Sequence, residues 1–404
     1  MNNTSHTGAV SFHGLGIAPG LLVVLEKLEY VEPTPIQHQT ISLAIAGKDV
    51  VGIAQTGTGK TLAFGLPMIQ RLAQMTGRGL VLLPTRELAI QVEEELHKIG
   101  RDSGLKTVVL IGGASIQTQL KDLRKNPHII IATPGRLLDH LNQKNINLSD
   151  IKIFVLDEAD RMLDMGFQPQ VNRIFHAVPK DRQTMLFSAT LPPEIMSIAS
   201  ANMKLPIRIE VAPSGTTVES VAQEIFIVEK AAKLRLLAHL LKEHRGSTLI
   251  FTRTKFGAKR ITKALREMGE NAVEIHSNRS LAQRRDALEG FRSGRYRVLI
   301  ATDIASRGID VKGIETVINY DMPSHAEDYV HRIGRTGRAG MGGHAISFAM
   351  PEERNEVRSI ERLIRKTIPV ASSPAGFPQE FGSRTEFNPP RPVYYPGRNR
   401  RRRL

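Results

Sequence analysis

From Asp49 onward the chain alternates short runs rich in Val and Ile with longer amphipathic stretches. The first set of runs covers residues 49–54, 79–84, 107–113, 128–134, 153–160 and 183–190, and most end in Gly, Pro, Ser, Thr or Asp. Such runs suit strands of a parallel sheet covered on both faces, because those strands have no solvent side and each crossover needs a helix. The polar and glycine residues gather at the strand ends, the edge where open α/β sheets bind ligands.

The pattern pauses at 211–220, VAPSGTTVES, where Pro213 and Gly215 indicate a linker. It resumes at 223–229, 247–252, 271–276, 297–303, 315–321 and 343–350. Two α/β domains follow, 1–210 and 221–370, each of ordinary domain size. The end, 371–404, holds seven Arg, no Lys and two Glu, with Phe377, Phe381, Phe387, Tyr394 and Tyr395 among prolines and glycines. It cannot bury enough apolar surface to order itself and is expected to be a disordered basic tail.

The 404 residues include no cysteine, which excludes disulfides, a thiol nucleophile and cysteine-ligated zinc. No apolar run reaches the ~18 residues of a membrane span, and the first residues lack a secretory pattern. A cytoplasmic protein is expected. The net charge of +15 makes a polyanion such as nucleic acid the first partner to consider.

Asp49 to Thr61 reads DVVGIAQTGTGKT, a strand, a glycine-containing turn and the start of a helix. Backbone N–H groups across Gln55, Thr56, Gly57, Thr58 and Gly59 can converge on phosphate oxygens. Lys60 then reaches the β- and γ-phosphates, and Thr61 can ligate Mg²⁺. The usual pattern begins with glycine where Ala54 stands. A second strand pattern ends in Asp157-Glu158-Ala159-Asp160. Alone, such an acidic cluster is more often a solvated loop; beside a phosphate loop, Asp157 suits the metal and Glu158 the attacking water. Arg332, Arg335 and Arg338 recur at helical spacing and are expected to form one basic face.

The order of further motifs resembles the DEAD-box family of ATP-dependent RNA helicases over about residues 12–369, with the compact core and Arg-rich end of the bacterial RhlE-type branch. That resemblance implies two tandem RecA-like (P-loop) domains, each a mostly parallel sheet flanked by helices. EYVEPTPIQ resembles the family's adenine-reading segment, with Glu29 where glycine is frequent. By resemblance Gln37 reads the adenine edge, Tyr30 lies against the ring and Phe12 is the isolated upstream aromatic.

PTRELA with Pro84, Thr85 and Arg86, then Gly113, and TPGR with Thr133, Pro134, Gly135 and Arg136 resemble RNA-contacting motifs, although Thr85 and Thr133 would also serve as helix caps. Ser188 and Thr190, with Asp160 and His331, resemble the set that couples nucleotide state to RNA. In the second domain Arg253 and Thr302 resemble RNA contacts, Asp310 a nucleotide-sugar contact, and Arg335 and Arg338 arginine fingers. The resemblance implies ATP and Mg²⁺ in the cleft, RNA held mainly by its backbone, and separation of short duplexes in ribosome assembly or RNA turnover. An ATP-gated RNA clamp or annealing factor and a DNA helicase are the alternatives.

Overall fold

The computed structural model describes residues 11–55, 57–211, 221–303, 313–337 and 342–372. Thr56, Asp310, Arg338, most of the expected linker (212–220) and most of the expected tail (373–404) lie outside the described residues.

The first lobe contains β1 (Val50–Ile53), β2 (Arg78–Leu82), β3 (Thr107–Leu110), β4 (Ile129–Ala132), β5 (Ile151–Leu156), β6 (Gln183–Ser188) and β7 (Ile207–Glu210). They form one sheet in the order β3-β4-β2-β5-β6-β1-β7, with parallel pairing throughout. β4 shows why the Val/Ile runs become interior strands: Ile129 and Ile131 enter the core on one face, Ile130 and Ala132 the core on the other. Each fully buried Ile side chain is worth roughly 1.5–3 kcal/mol. β7 was not foreseen. Its four residues, IRIE, bury only Ile209, as suits a short edge strand.

The second lobe contains β8 (Val221–Ile227), β9 (Thr248–Phe251), β10 (Ala272–Ile275), β11 (Val298–Ala301), β12 (Thr316–Asn319) and β13 (Gly343–Ala349). Their order is β10-β11-β9-β12-β13-β8, again all parallel. Ile250 and Ile300 face one core and Leu249 and Leu299 another.

Strand order positions the site. Parallel strands bring their C-terminal ends to one edge, and β5, β6 and β1 are neighbours, with Leu156 opposite Leu186 and Ser188 opposite Ile53. Asp157-Glu158, Ser188-Thr190 and the phosphate loop therefore emerge side by side. The loops after β2, β3 and β4, carrying Thr85, Gly113 and Thr133, emerge from the other half of the same edge.

Candidate active site

β1 delivers the chain into a turn that needs glycine. Gly57 and Gly59 have φ of 86° and 88°, where a Cβ is strained, and a Cβ on Gly59 would lie 2.2 Å from Gln37 Nε2. Thr58 Oγ1 closes the turn by donating to the Gln55 carbonyl at 2.7 Å. The helix Lys60–Leu72 begins at once, with no side chain capping it, so its first N–H groups suit an anion. Ala54 still belongs to the strand ladder, donating its N–H to the Ser188 carbonyl at 2.9 Å, a place where a methyl group is tolerated. Lys60 is buried with Nζ 3.7 Å from Asp157 Oδ1, and among the described residues Nζ makes no hydrogen bond. Its donors suit phosphate oxygens.

The segment upstream locks onto this loop. Thr34 Oγ1 donates to the Thr58 carbonyl at 2.7 Å. Gln37 is buried; its Oε1 accepts from Thr34 N at 2.9 Å and its Nε2 donates to the Gly59 carbonyl at 3.1 Å. An amide has two donors and two acceptor positions, so one of each remains for an adenine edge. Tyr30 donates its hydroxyl to Glu95, and burial followed by that carboxylate pushes its phenol well above the usual range. Phe12 is buried in the core with Leu15 and Ile17 and is not among the residues lining the cavity. Glu29 has φ of 60°, which explains physically why glycine suits that place.

Tyr30, Gln37, Gly57, Gly59, Lys60, Thr61, Asp157 and Glu158 are among the residues lining a cavity of about 770 Å³. That volume is suited to a small-molecule ligand. Asp157 and Glu158 line it, and both are buried, as is the neighbouring Asp160. Burial, reinforced by Glu158 and Asp160 and opposed by Lys60, pushes the Asp157 carboxyl up to about 6. Burial also pushes Glu158 up, but Arg161, Lys60 and Arg335 together outweigh it and hold the carboxyl below its usual range. Arg161 Nη1 donates to Glu158 Oε2 at 2.9 Å, and both side chains are nearly inaccessible. Glu158 has φ of 53°, a strained setting costing on the order of 1–3 kcal/mol for a residue with a Cβ. Asp160 Oδ2 accepts from Ala189 N, Thr190 N and Thr190 Oγ1 at 3.0, 2.9 and 3.1 Å, while Ser188 Oγ accepts from Asp160 N at 3.2 Å. The acidic loop and the β6 loop are thus one hydrogen-bonded unit.

The arginines of the second lobe do not form the single helical face expected. The helix Ala326–Ile333 stops at Gly334, so Arg332 lies in its last turn and Arg335 in the turn that follows. Arg332 is folded inward: Nε and Nη2 donate to Asp303 at 2.6 and 2.8 Å, and Nη1 donates to Asn319 Oδ1 and the Asp321 carbonyl. Arg335 is buried, donates to the His331 carbonyl at 3.3 Å and acts electrostatically on Glu158. Arg161 meets His331, Arg332 and Arg335 around a gap of only about 10 Å³. The lobes are closed on each other here.

Thr85 is the N-cap of the helix Arg86–Gly100, accepting from Leu88 N at 3.3 Å. Thr133 occupies the N-cap of Pro134–Asn142, but its side chain makes no capping bond. The Arg86 guanidinium lies against Gly112 and Gly113, where a Cβ on Gly113 would come within 2.4 Å of it. Pro84 is buried and Gly135 is exposed. Arg136 donates to the Ala114 carbonyl at 3.2 Å. In the second lobe Arg253 is half-exposed and donates to Glu353 and the Met322 carbonyl, both at 3.2 Å; Thr302 follows β11.

Residues 34–198 match the DEAD/DEAH box helicase family, and residues 232–340 match the helicase conserved C-terminal domain. The ATP-dependent rRNA helicase RRP3 of Debaryomyces hansenii is 41% identical over 369 residues, covering 90% of this chain and 77% of that protein. The chain belongs to the DEAD/DEAH box helicase family. The DEAD-box ATP-dependent RNA helicase CshA of Bacillus licheniformis is 42% identical over 368 residues, covering 90% of this chain and 76% of that one. Among solved structures, S. cerevisiae Dbp5 bound to RNA and ADP BeF3 superposes with a TM-score of 0.82 at 31% identity, covering 90% of this chain and 96% of that one. Mss116p bound to ssRNA and AMP-PNP gives 0.83 at 27% identity, covering 91% and 81%.

Two features of this helicase escape motif spacing. Arg161 is the buried counter-ion of Glu158; the spacing of three along a helix was the available clue. Glu87 and Arg284 form an ion pair between lobes at 2.8 Å, nearly excluded from solvent, and Leu281 packs on the first lobe's core. Burial pushes Glu87 up against the pull of Arg284, and pushes Arg284 down. No helix among the described residues is long and apolar enough to cross a membrane.

Proposed function

We propose that this chain is an RNA-stimulated ATPase that grips single-stranded RNA across both lobes and locally separates short duplexes. One observation carries the reading: Glu158 is a buried carboxylate bonded to Arg161 on its own lobe, and Arg161 in turn meets Arg335 of the other lobe around a gap of only about 10 Å³. A base that arginines of both lobes approach ties hydrolysis to their closure.

ATP binds in the 770 Å³ cavity, with Gln37 at the adenine edge, Tyr30 beside the ring, and Lys60 and the turn from Gln55 through Thr56 to Gly59 at the phosphates. Glu158 orients a water and takes its proton as the water oxygen bonds the γ-phosphorus and the bond to ADP breaks. Arg335, joined by Arg338, stabilises the charge spread over the transferring group, and Asp310 contacts the sugar. The buried, acid-flanked Asp157 and the hydroxyl of Thr61 fit Mg²⁺, which when bound neutralises phosphate charge.

RNA lies over Thr85, Arg86, Gly113 and Thr133 to Arg136 on one lobe and Arg253 and Thr302 on the other, through backbone contacts. ATP and RNA each favour closure because each supplies anions to facing cations. Because Asp160 is bonded to the Ser188–Thr190 loop, a change at the phosphates moves that loop too, with His331 on the facing lobe. Residues 371–404 add sequence-tolerant affinity through arginine and aromatic side chains. Relatives named as an rRNA helicase support ribosome assembly as the setting, with RNA turnover the other setting proposed.

Strand displacement with RNA and DNA duplexes of graded length tests this. At a stacking cost of ~1.4 kcal/mol per base-pair step (a DNA average), short RNA duplexes should separate with ATP and long ones should not. ATP-dependent retention without displacement would make the protein a clamp; equal stimulation by DNA would overturn the RNA reading.

A further inference from the structure

On the second lobe, at the edge of the sheet formed by β8 and β13, three side chains converge that the ATPase does not use. Glu224 lies on β8, His344 on β13, and His244 ends the helix Lys233–Glu243. In the ladder His344 is opposite Ala222 and Ile346 opposite Glu224, so Glu224 and His344 are diagonal neighbours on one face. His344 Nε2 is 3.0 Å from Glu224 Oε1, and the rings of His244 and His344 are 4.8 Å apart and tilted by 59°. One ligand atom from each residue lies within 4.8 Å of the other two.

We propose that Glu224, His244 and His344 form a binding site for a borderline divalent cation of the Zn²⁺ type. Two imidazoles and one carboxylate are a recurrent three-ligand set for zinc, with a fourth position left for water. Tetrahedral bonds of ~2.1 Å place ligand atoms roughly 3.4 Å apart, so the spacing here needs only side-chain rotation of about an ångström. The imidazoles select against Mg²⁺, which prefers oxygen, so this site and the nucleotide's metal do not compete.

The backbone already holds the ligands in place. His344 N donates to the Glu315 carbonyl at 3.1 Å, His244 N donates to the Leu240 carbonyl at 2.8 Å, and the His244 carbonyl accepts from Arg297 at 2.9 Å. Rigid carriers of this kind are what a metal site requires. The three residues are partly exposed, giving an ion a path in. The ion would fasten the edge strand β8, the first described strand of the second lobe, to β13 and the helix end. Its role is structural: Glu224, His244 and His344 are not among the residues lining the nucleotide cavity.

The test is calorimetric titration of the untagged full chain with ZnCl₂ alone, without nucleotide. One equivalent should bind, and His244→Ala and His344→Ala should each weaken it at least about tenfold, since even outer-shell losses cost that much; His13→Ala, an exposed histidine in the first lobe, should bind as the parent does. X-ray absorption of the parent with one equivalent of Zn²⁺ should show two imidazoles, and this readout stands even if a variant misfolds. Absence of binding, binding unchanged in the His244 and His344 variants, or fewer than two imidazoles on the metal would overturn the proposal.

Discussion

Glu158→Gln should lower ATP turnover by about 10²–10⁴-fold while ATP and RNA still bind. The amide keeps the shape and can still accept from Arg161, but it cannot take a proton from water. Glu158 suits that task because Arg161, Lys60 and Arg335 hold its carboxyl below the usual range despite its burial. Gln removes the charge facing Arg161, so some loss of thermal stability accompanies the change. Breaking a buried pair altogether costs about 3–5 kcal/mol, whereas retention of the hydrogen bond limits the loss. Steady-state hydrolysis alongside fluorescent-nucleotide and RNA binding separates the effects; normal turnover would remove Glu158 from its role.

Arg335→Ala should lower RNA-stimulated turnover by ~10³–10⁵-fold, the range for losing an arginine finger, with the second lobe still folded. Arg332→Ala should behave differently although it lies only three residues away. Arg332 is bound bidentately to Asp303 and tied to Asn319 and Asp321, so its loss removes four hydrogen bonds inside the lobe and lowers stability by up to about 3–5 kcal/mol. Thermal melts and ATP turnover on the two variants discriminate a group acting across the cleft from one holding its own lobe together. If Arg335→Ala melted early and Arg332→Ala kept a normal melt, the two assignments would be reversed.

Those two arginines also show where sequence reasoning reached and where it stopped. The strands were legible because interior parallel strands bury both faces and read as unbroken Val/Ile runs, as Ile129, Ile130 and Ile131 do. β7 was not, because an edge strand needs only one buried residue in four, Ile209. The phosphate loop was legible because its backbone demands glycine at Gly57 and Gly59. Arg332 and Arg335 share a spacing but not a face, since Gly334 ends the helix between them. Phe12 could be placed near the nucleotide only by resemblance, and its apolar ring packs into the core. The pair Glu87–Arg284 spans 197 positions, a separation no local pattern registers.

The first lobe has cores made of its own residues, from Phe12 to Ile209, and can be prepared alone as residues 1–211. Measuring its ATP turnover against the full chain, with and without RNA, asks whether the opposite lobe is needed for chemistry. The fragment should bind ATP yet hydrolyse it at least about 10³-fold more slowly than the RNA-stimulated full chain, because it lacks the finger arginine. Turnover by the fragment equal to that of the full chain, irrespective of RNA, would contradict a catalytic site completed between lobes.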